Sequence, residues 1–271
     1  MKMDCDVLVV GGGPAGSCAA RSASLNGAKT ILIDKKRKIG FPVQCAEGMG
    51  TYLFPHLPFD IPLDQIIWDM NGMYFQIDDL CIEKKGEFWE SCSVDRKKFD
   101  QWLAIQAEQS GSKLSTECEL FDVDIDNKYT VTKAYVKNNN KTLEIKPKVV
   151  VAADGVESTI LQLLDLYHPK KGDIADVYSW EMNKLDLFNP FYEQIFSGDF
   201  TPSGYAYIFP NGKRSANIGV GGIYPEKDLI DYFEEFLEIS HVKKQIKNAE
   251  YVTEKSGKAV WNDLTDEWIY G

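Results

Sequence analysis

Cys45 and Glu47 lie in a short stretch that also holds a proline and two glycines, FPVQCAEGMG at residues 41–50. Proline and glycine favour tight turns, so we expect a rigid turn that presents one thiol. A free thiol is mostly protonated at neutral pH, so Cys45 could give a proton to a carbon atom or tune a neighbouring group. Glu47 is a second candidate proton donor. Two alternatives stay open: Cys45 as a small buried apolar residue, and Glu47 as an acceptor for backbone amides.

The other cysteines and the histidines do not indicate a metal or disulfide centre. A disulfide reductase needs a second cysteine a few residues away, and the next one after Cys45 is Cys81. The six cysteines form no CxxC pair, and the three histidines form no HExxH motif. We therefore expect reduced thiols and no metal site.

A glycine-rich loop near the start of the chain predicts a dinucleotide site. The order is a β-branched run DVLVV, then GGGPAG, then an Ala- and Ser-rich helix, then KTILID. In this βαβ pattern Gly11 permits the turn, Gly13 lets the backbone approach a pyrophosphate and Gly16 permits close helix packing. Asp34 would accept hydrogen bonds from ribose hydroxyls, which favours NAD or FAD over NADP. The loop alone does not choose between NAD and FAD.

Two later segments belong to the same layer. Arg96 begins an amphipathic helix, where its cation could reach a phosphate, although a surface arginine is an equal alternative. The run KPKVVVAADG predicts a second buried parallel strand that ends at Asp154 and Gly155, where doubly wound sheets bind ligands. Residues 113–145 between them read as a β-meander, which a plain dehydrogenase lacks.

Taken together, these motifs resemble the flavin-dependent geranylgeranyl reductase family, within the fold class of para-hydroxybenzoate hydroxylase. The glycine loop, PVQCAEG, DRKKFD with ADG, and YAYIFPNGKRSANIGVG follow the family's order along the whole chain. The second resembles P-x-x-C-G-E-G, and the last resembles Y-x-W-x-F-P followed by G-x-G. Two positions depart from the family: Ala46 replaces a glycine, and Tyr207 replaces a tryptophan.

The resemblance implies FAD as cofactor, with the flavin ring along the turn from Pro42 to Gly48 and Cys45 near its reactive edge. The implied cofactor-binding residues are Gly11, Gly13, Pro14, Ala15, Gly16, Asp34, Lys35, Cys45, Ala46, Gly48, Arg96, Asp154 and Gly155. The implied substrate-pocket residues are Tyr205, Tyr207, Phe209, Pro210, Gly219 and Gly221. Cys45 and Glu47 are the implied catalytic residues. The sequence does not identify the external electron donor, and both NAD(P)H and ferredoxin stay open.

Short strands around the aromatic motif predict a second domain. MYFQI, LCIEK, FWESCSV, DVYSWEM, EQIFSG, YAYIFP and SANIGVGG read as strands of one antiparallel sheet. A helix over residues 225–249 would pack its apolar stripe on it. We expect an α/β fold (α+β overall) in which a Rossmann-type FAD-binding domain, 1–65 and 95–172, is interleaved with an antiparallel β-sheet substrate domain, 66–94 and 173–260. The aromatic face of YAYIFP is either core or the wall of a cavity for a lipid chain.

The implied reaction is reduction of C=C bonds in isoprenoid chains, with an isoprenoid lipid or prenyl compound as substrate. The alternatives are a monooxygenase of an aromatic compound and an inactive flavoprotein fragment. The formal net charge of −11 argues against a nucleic-acid partner. We expect a cytoplasmic protein, with weak peripheral membrane contact left open. The terminal WIYG reads as a strand whose G-D-A continuation in the family is absent, so we expect a truncated chain.

Overall fold

The computed structural model describes residues 2–78, 80–139, 141–201, 203–223, 225–266 and 269. The β-strands are β1 Lys2–Asp4, β2 Val7–Val10, β3 Thr30–Ile33, β4 Gly48–Gly50, β5 Ile66–Met70, β6 Gly72–Ile77, β7 Leu80–Lys85, β8 Ser91–Val94, β9 Lys113–Ser115, β10 Cys118–Ile125, β11 Val131–Asn138, β12 Lys141–Lys146, β13 Val149–Ala152, β14 Ile174–Asn183, β15 Tyr192–Ser197, β16 Gly204–Gly212, β17 Ser215–Gly222 and β18 Glu250–Val260. The α-helices are α1 Pro14–Leu25, α2 Arg96–Gln109, α3 Thr159–Leu163, α4 Leu229–Glu238 and α5 Ser240–Ile246.

The chain divides into two compact units. Unit 1 comprises Met1–Pro42, Lys97–Lys170 and Asp263–Gly271, and unit 2 comprises Val43–Arg96 and Lys171–Asn262. Residues 43–65 lie in unit 2 by this division, although the sequence motifs group them with the FAD-binding domain. No helix in the described part of the chain is both long and apolar enough to cross a membrane.

Unit 1 contains the predicted Rossmann-type layer. Four parallel strands lie in the order β13-β2-β3-β9, and α1 connects β2 to β3. The apolar runs VLVV and TILI are almost wholly buried, as expected of strands covered on both faces. A second sheet, β1-β12-β11-β10, carries the predicted meander. The meander prediction is wrong for β9 alone, because Ile31, Leu32 and Ile33 pair with it in parallel.

Unit 2 is built on a seven-stranded sheet in the order β18-β14-β17-β16-β15-β6-β7. The sheet is antiparallel except for β15 and β6, which pair in parallel. A hairpin forces antiparallel pairing, but β6 and β15 are far apart in sequence, so their direction is free. A three-stranded antiparallel sheet, β4-β8-β5, completes the unit.

The core of unit 2 lies between one face of the large sheet and the two C-terminal helices. Phe196, Ile208, Ile218, Phe233 and Phe236 are its fully buried centre. The predicted single helix is two helices, because Ile239 has an extended backbone (φ −58°, ψ 128°) that ends α4 before α5 begins. Burying one face of the sheet in this way leaves the opposite face for the residues described next.

Two further expectations differ in detail or cannot be compared. The prediction that FWESCSV is a strand of the large sheet is wrong in two respects. Glu87–Trp89 forms a 3₁₀ helix, and the strand Ser91–Val94 belongs to the three-stranded sheet because it pairs with β4 and β5. Two more 3₁₀ helices cover Thr51–His56 and Leu63–Gln65. The predicted strand WIYG falls largely on positions 268, 270 and 271, which lie outside the described residues.

Candidate functional site

A cavity of about 280 Å³ opens on the face of the large sheet in unit 2 that the helices do not cover. The predicted residues Cys45, Ala46, Tyr205, Tyr207, Phe209 and Gly221 all line it. The other residues that line it are Gln44, Ala175, Val177, Ser179, Gly204, Gly222, Ile223, Lys255, Ser256, Gly257, Lys258, Ala259 and Trp261. Aromatic rings and small aliphatic side chains dominate this wall, so the cavity suits an apolar ligand.

One row of residues crosses the sheet beneath the cavity. Lys255 pairs with Ser179, Ser179 with Gly219, and Gly219 with Tyr207. Directly paired residues of neighbouring strands point to the same face, so this row brings a cation, a hydroxyl group and a phenol together. Ser179 forms a hydrogen bond with the Tyr207 hydroxyl, and burial raises the pKa of Tyr207 well above its ordinary value, so the phenol keeps its proton.

The three aromatic residues of the predicted pocket lie side by side along β16, with their rings tilted relative to one another. The ring centroids of Tyr207 and Phe209 are 4.5 Å apart, and those of Tyr205 and Tyr207 are 6.1 Å apart. Tyr207 is buried, whereas Tyr205 is 38% exposed, so the wall runs from the interior toward solvent. The two remaining predicted members are not among the residues that line the cavity. The Pro210 carbonyl accepts a hydrogen bond from Ser93 Oγ (2.7 Å), and Gly219 lies under the Tyr207 ring.

The turn with Cys45 is held by its own backbone and by Glu47. The Glu47 N–H donates to Cys45 Sγ (3.3 Å), and the Glu47 carbonyl accepts from Val94 N (2.9 Å). Glu47 is buried and has a left-handed backbone (φ 69°). Its carboxylate accepts from Lys255 Nζ (3.0 Å), Asn217 Nδ2 (3.3 Å) and the N–H of Arg96 (3.4 Å).

Glu193 is a buried acid that the sequence motifs did not identify. It lies on β15, is 5% exposed, and its Oε1 lies 3.0 Å from the position that a Cβ on Gly48 would take. Burial raises the pKa of Glu193 above its ordinary value, which favours the neutral carboxylic acid. The sequence signal that could have identified Glu193 is the single acidic residue within the otherwise uncharged strand YEQIFS.

In unit 1 the glycine loop has the geometry that a dinucleotide requires. Gly11 has φ +102°, and a Cβ there would lie 2.2 Å from the Ala153 carbonyl oxygen, so only glycine fits. A Cβ on Gly13 would meet no atom of the described residues within 4 Å, which leaves open space at the start of α1. Pro14 begins that helix, and no side chain among the described residues caps its N-terminus. The first N–H groups, including those of Ala15 and Gly16, therefore face a place where an anion is favoured.

The two acidic candidate residues of unit 1 accept hydrogen bonds from backbone N–H groups. Asp34 Oδ2 accepts from Gly12 N (2.7 Å) and Oδ1 from Lys36 N (2.7 Å), which fixes the carboxylate beside the glycine loop. Asp154 accepts from Ser158 Oγ (2.6 Å) and from Thr159 N (2.6 Å), so it binds the first turn of α3, whose N-cap residue is Ser158. Gly155 follows with φ +87°. Lys35 lines a shallow depression together with Glu157 and Tyr167.

Two family models match the chain. Residues 6–156 match the FAD dependent oxidoreductase family, and residues 173–258 match the geranylgeranyl reductase catalytic domain. The second match covers most of the cavity wall, including β16, β17 and Lys255.

Two curated relatives share the name of one enzyme. The chain is 37% identical over 260 residues to digeranylgeranylglycerophospholipid reductase of Methanococcus aeolicus and 35% identical over 260 residues to that of Methanocaldococcus jannaschii. Each match covers 94% of this chain and 64% of the relative, so the chain spans somewhat less than two thirds of their length.

Solved structures agree on the fold. A geranylgeranyl bacteriochlorophyll reductase-like protein of Thermoplasma acidophilum matches all of this chain and 70% of its own, with a TM-score of 0.89 and 27% identity. The flavin-dependent brominase Bmp2 matches 94% of this chain and 67% of its own, with a TM-score of 0.74 and 18% identity, which shows the fold alone. The predicted family resemblance is confirmed by these matches. The chain belongs to the FAD dependent oxidoreductase family, and its residues 173–258 match the catalytic domain of geranylgeranyl reductase.

Proposed function

We propose that this chain carries the flavin-binding and substrate-binding parts of a reductase that saturates C=C bonds in isoprenoid chains, with a digeranylgeranyl glycerophospholipid as the substrate class. The observation that supports this most is the aromatic cavity of unit 2, which lies within the geranylgeranyl reductase match and is lined by the lone thiol of Cys45. The name that the curated relatives share also supports this proposal.

The residues of the glycine loop fit the pyrophosphate of FAD. The open space at Gly13 and the uncapped N-terminus of α1 would receive the pyrophosphate, because backbone N–H groups and the helix dipole favour negative charge there. The Asp34 carboxylate, fixed beside Gly12, would accept from a ribose hydroxyl. Arg96 and Lys35 stay candidates for contacts with the cofactor.

The cavity of unit 2 would orient the alkene and exclude water. When bound in its reduced form, FAD supplies a hydride for one carbon of the double bond. The other carbon must receive a proton, because saturation of one double bond adds two hydrogen atoms. An unactivated alkene develops positive charge as the proton arrives, and aromatic faces such as those of Tyr205 and Tyr207 stabilise a desolvated cation by about 1 kcal/mol or more.

The Cys45 thiol is our candidate for the group that holds the proton. It lines the cavity together with Tyr207, and a protonated thiol needs no charged partner in an apolar wall. That Cys45 lies near the reactive edge of the flavin ring, and that Glu47 gives a proton, stay predictions.

We further propose that the electron donor is a reduced nicotinamide or ferredoxin, and that contact with a membrane is peripheral and weak.

Anaerobic reoxidation of the flavin tests this function. The protein as its gene encodes it is reduced with dithionite, the excess is removed, and an unsaturated geranylgeranyl lipid is added. We expect the yellow absorbance of oxidised flavin to return with the unsaturated lipid and not with the fully saturated analogue. Return of the absorbance only when oxygen and an aromatic compound are supplied would favour a monooxygenase and contradict the reductase.

A further inference from the structure

Lys255 is a buried lysine in the cavity wall that holds two carboxylates. Its Nζ lies 3.0 Å from Glu47 Oε2 and 3.6 Å from Glu181 Oε2. The side chains of Lys255 and Glu47 are 8% and 9% exposed, so the ion pair is shielded from solvent. A buried ammonium of this kind persists only when anionic and polar partners surround it.

Asn217 completes the arrangement. Lys255 Nζ donates to Asn217 Oδ1 (2.8 Å), while Asn217 Nδ2 donates to the Ala46 carbonyl (3.1 Å) and to Glu47 Oε2 (3.3 Å). Asn217 on β17 and Lys255 on β18 thus bind the segment Ala46–Glu47 through these hydrogen bonds. The segment directly follows Cys45, so the contacts restrain the backbone that carries the thiol.

The turn needs such support because of its backbone conformation. Glu47 lies in the left-handed region, which a residue with a side chain keeps only where its surroundings hold it. In that conformation its N–H points at Cys45 Sγ (3.3 Å). The ion pair with Lys255 therefore acts on the peptide that orients the sulfur.

We propose that Lys255 is a positioning residue for Cys45: through Glu47 and Asn217 it fixes the turn so that the thiol faces the cavity. This deepens the function proposed above, since a fixed proton donor is what the reduction of an unactivated alkene requires. It also assigns the Glu47 carboxylate the role of an anchor.

The reactivity of Cys45 toward iodoacetamide tests this, with each cysteine followed by peptide mass spectrometry. Lys255→Met removes the cation and keeps much of the apolar stem. We expect the Cys45 alkylation rate, divided by that of the exposed Cys81 in the same molecule, to rise at least about fivefold as the turn opens locally. Lys255→Arg keeps the charge and should restore the ratio to within about twofold of the parent.

Several controls keep the outcome interpretable. Buried Cys92 and Cys118 must stay unreactive, because their alkylation would indicate general loosening of the fold. If Lys255→Met does not fold, Glu47→Gln combined with Lys255→Met removes both charges together and should raise the ratio in the same direction. An unchanged ratio in a folded Lys255→Met variant, or a failure of Lys255→Arg to restore it, overturns the proposal. Because the alkylation needs no prenyl substrate, its result is independent of whether the reductase function holds.

Discussion

The hydroxyl oxygen of Tyr207 lies 2.6 Å from the position that a Cβ on Gly219 would occupy. The two residues are directly paired on β16 and β17. The Cβ atom of Ser179 on β14 also lies 2.6 Å from the position that a Cβ on Gly219 would occupy. The buried phenol therefore lies flat on the sheet because its neighbour lacks a side chain.

Gly219→Ala should push the Tyr207 ring into the cavity. We expect the free energy of unfolding to fall by about 1–3 kcal/mol, as overpacking of a filled core does. Gly221→Ala is the matched control on the same strand, because a Cβ there meets Val177 only at 3.5 Å, an ordinary contact. Urea denaturation measures both variants. Equal stability of the two would contradict the packing described here.

The glycines of the opening loop should separate folding from cofactor binding. Gly11→Ala forces a side chain into a left-handed backbone and against the Ala153 carbonyl, so we expect a loss of about 1–3 kcal/mol in stability. Gly13→Ala meets open space, so the protein should fold normally but bind FAD about tenfold or more weakly, a loss of about 1.4 kcal/mol or more. Thermal unfolding and flavin fluorescence titration distinguish the two. Unchanged FAD affinity in Gly13→Ala would show that no phosphate approaches this loop.

Glu193 should make stability depend on pH. Burial raises its folded-state pKa above the ordinary 4.5, so its stabilising contribution is complete below pH 4.5 and is lost as the pH rises through the folded value. Glu193→Gln removes this titration. Relative to the parent, the variant should therefore become more stable as the pH rises from 4.5 through the folded-state pKa of Glu193.

Denaturant unfolding at several pH values measures the Glu193 effect. Glu87→Gln is the control, since Glu87 is an exposed acid of the same unit. A stability difference between Glu193→Gln and the parent that stays constant with pH would mean that Glu193 titrates alike in the folded and unfolded chain.

Cys45→Ser should keep the flavin and lower turnover. A hydroxyl group is a far weaker acid than a thiol, so we expect turnover on a prenyl lipid to fall at least about tenfold. Cys81→Ser, at an exposed position, should behave as the parent. Flavin content and initial rates are the measurements. Parental turnover in Cys45→Ser would remove the thiol from the chemistry.

The local motifs were readable from the sequence because their signals lie within a few residues. The loop at Gly11–Gly16, the strands on both sides of it and the alternating aromatic residues of β16 are all set by nearest neighbours along the chain. The confirmed family resemblance depends on the same short motifs. The sequence did not show which of these residues line the same cavity, and the structure does.

The ion pair of Lys255 with Glu47 could not be predicted, because it joins residues 208 positions apart. Strand β18 gives no apolar pattern, since it is an edge strand with most of its residues exposed. Asn217 was a weaker signal, an amide inside the otherwise apolar run of β17. The break between α4 and α5 was missed since Ile239 continues the apolar stripe while its backbone is extended.

The mass of the product tests the central claim most directly. A digeranylgeranyl glycerophospholipid is incubated without oxygen with the dithionite-reduced protein as its gene encodes it, and the lipid is analysed by mass spectrometry. We predict a gain of two hydrogen atoms for each double bond. The saturated product should be absent without protein, and less of it should form with the Cys45→Ser variant. An unchanged lipid, or one that gains oxygen atoms when air is admitted, would contradict the account.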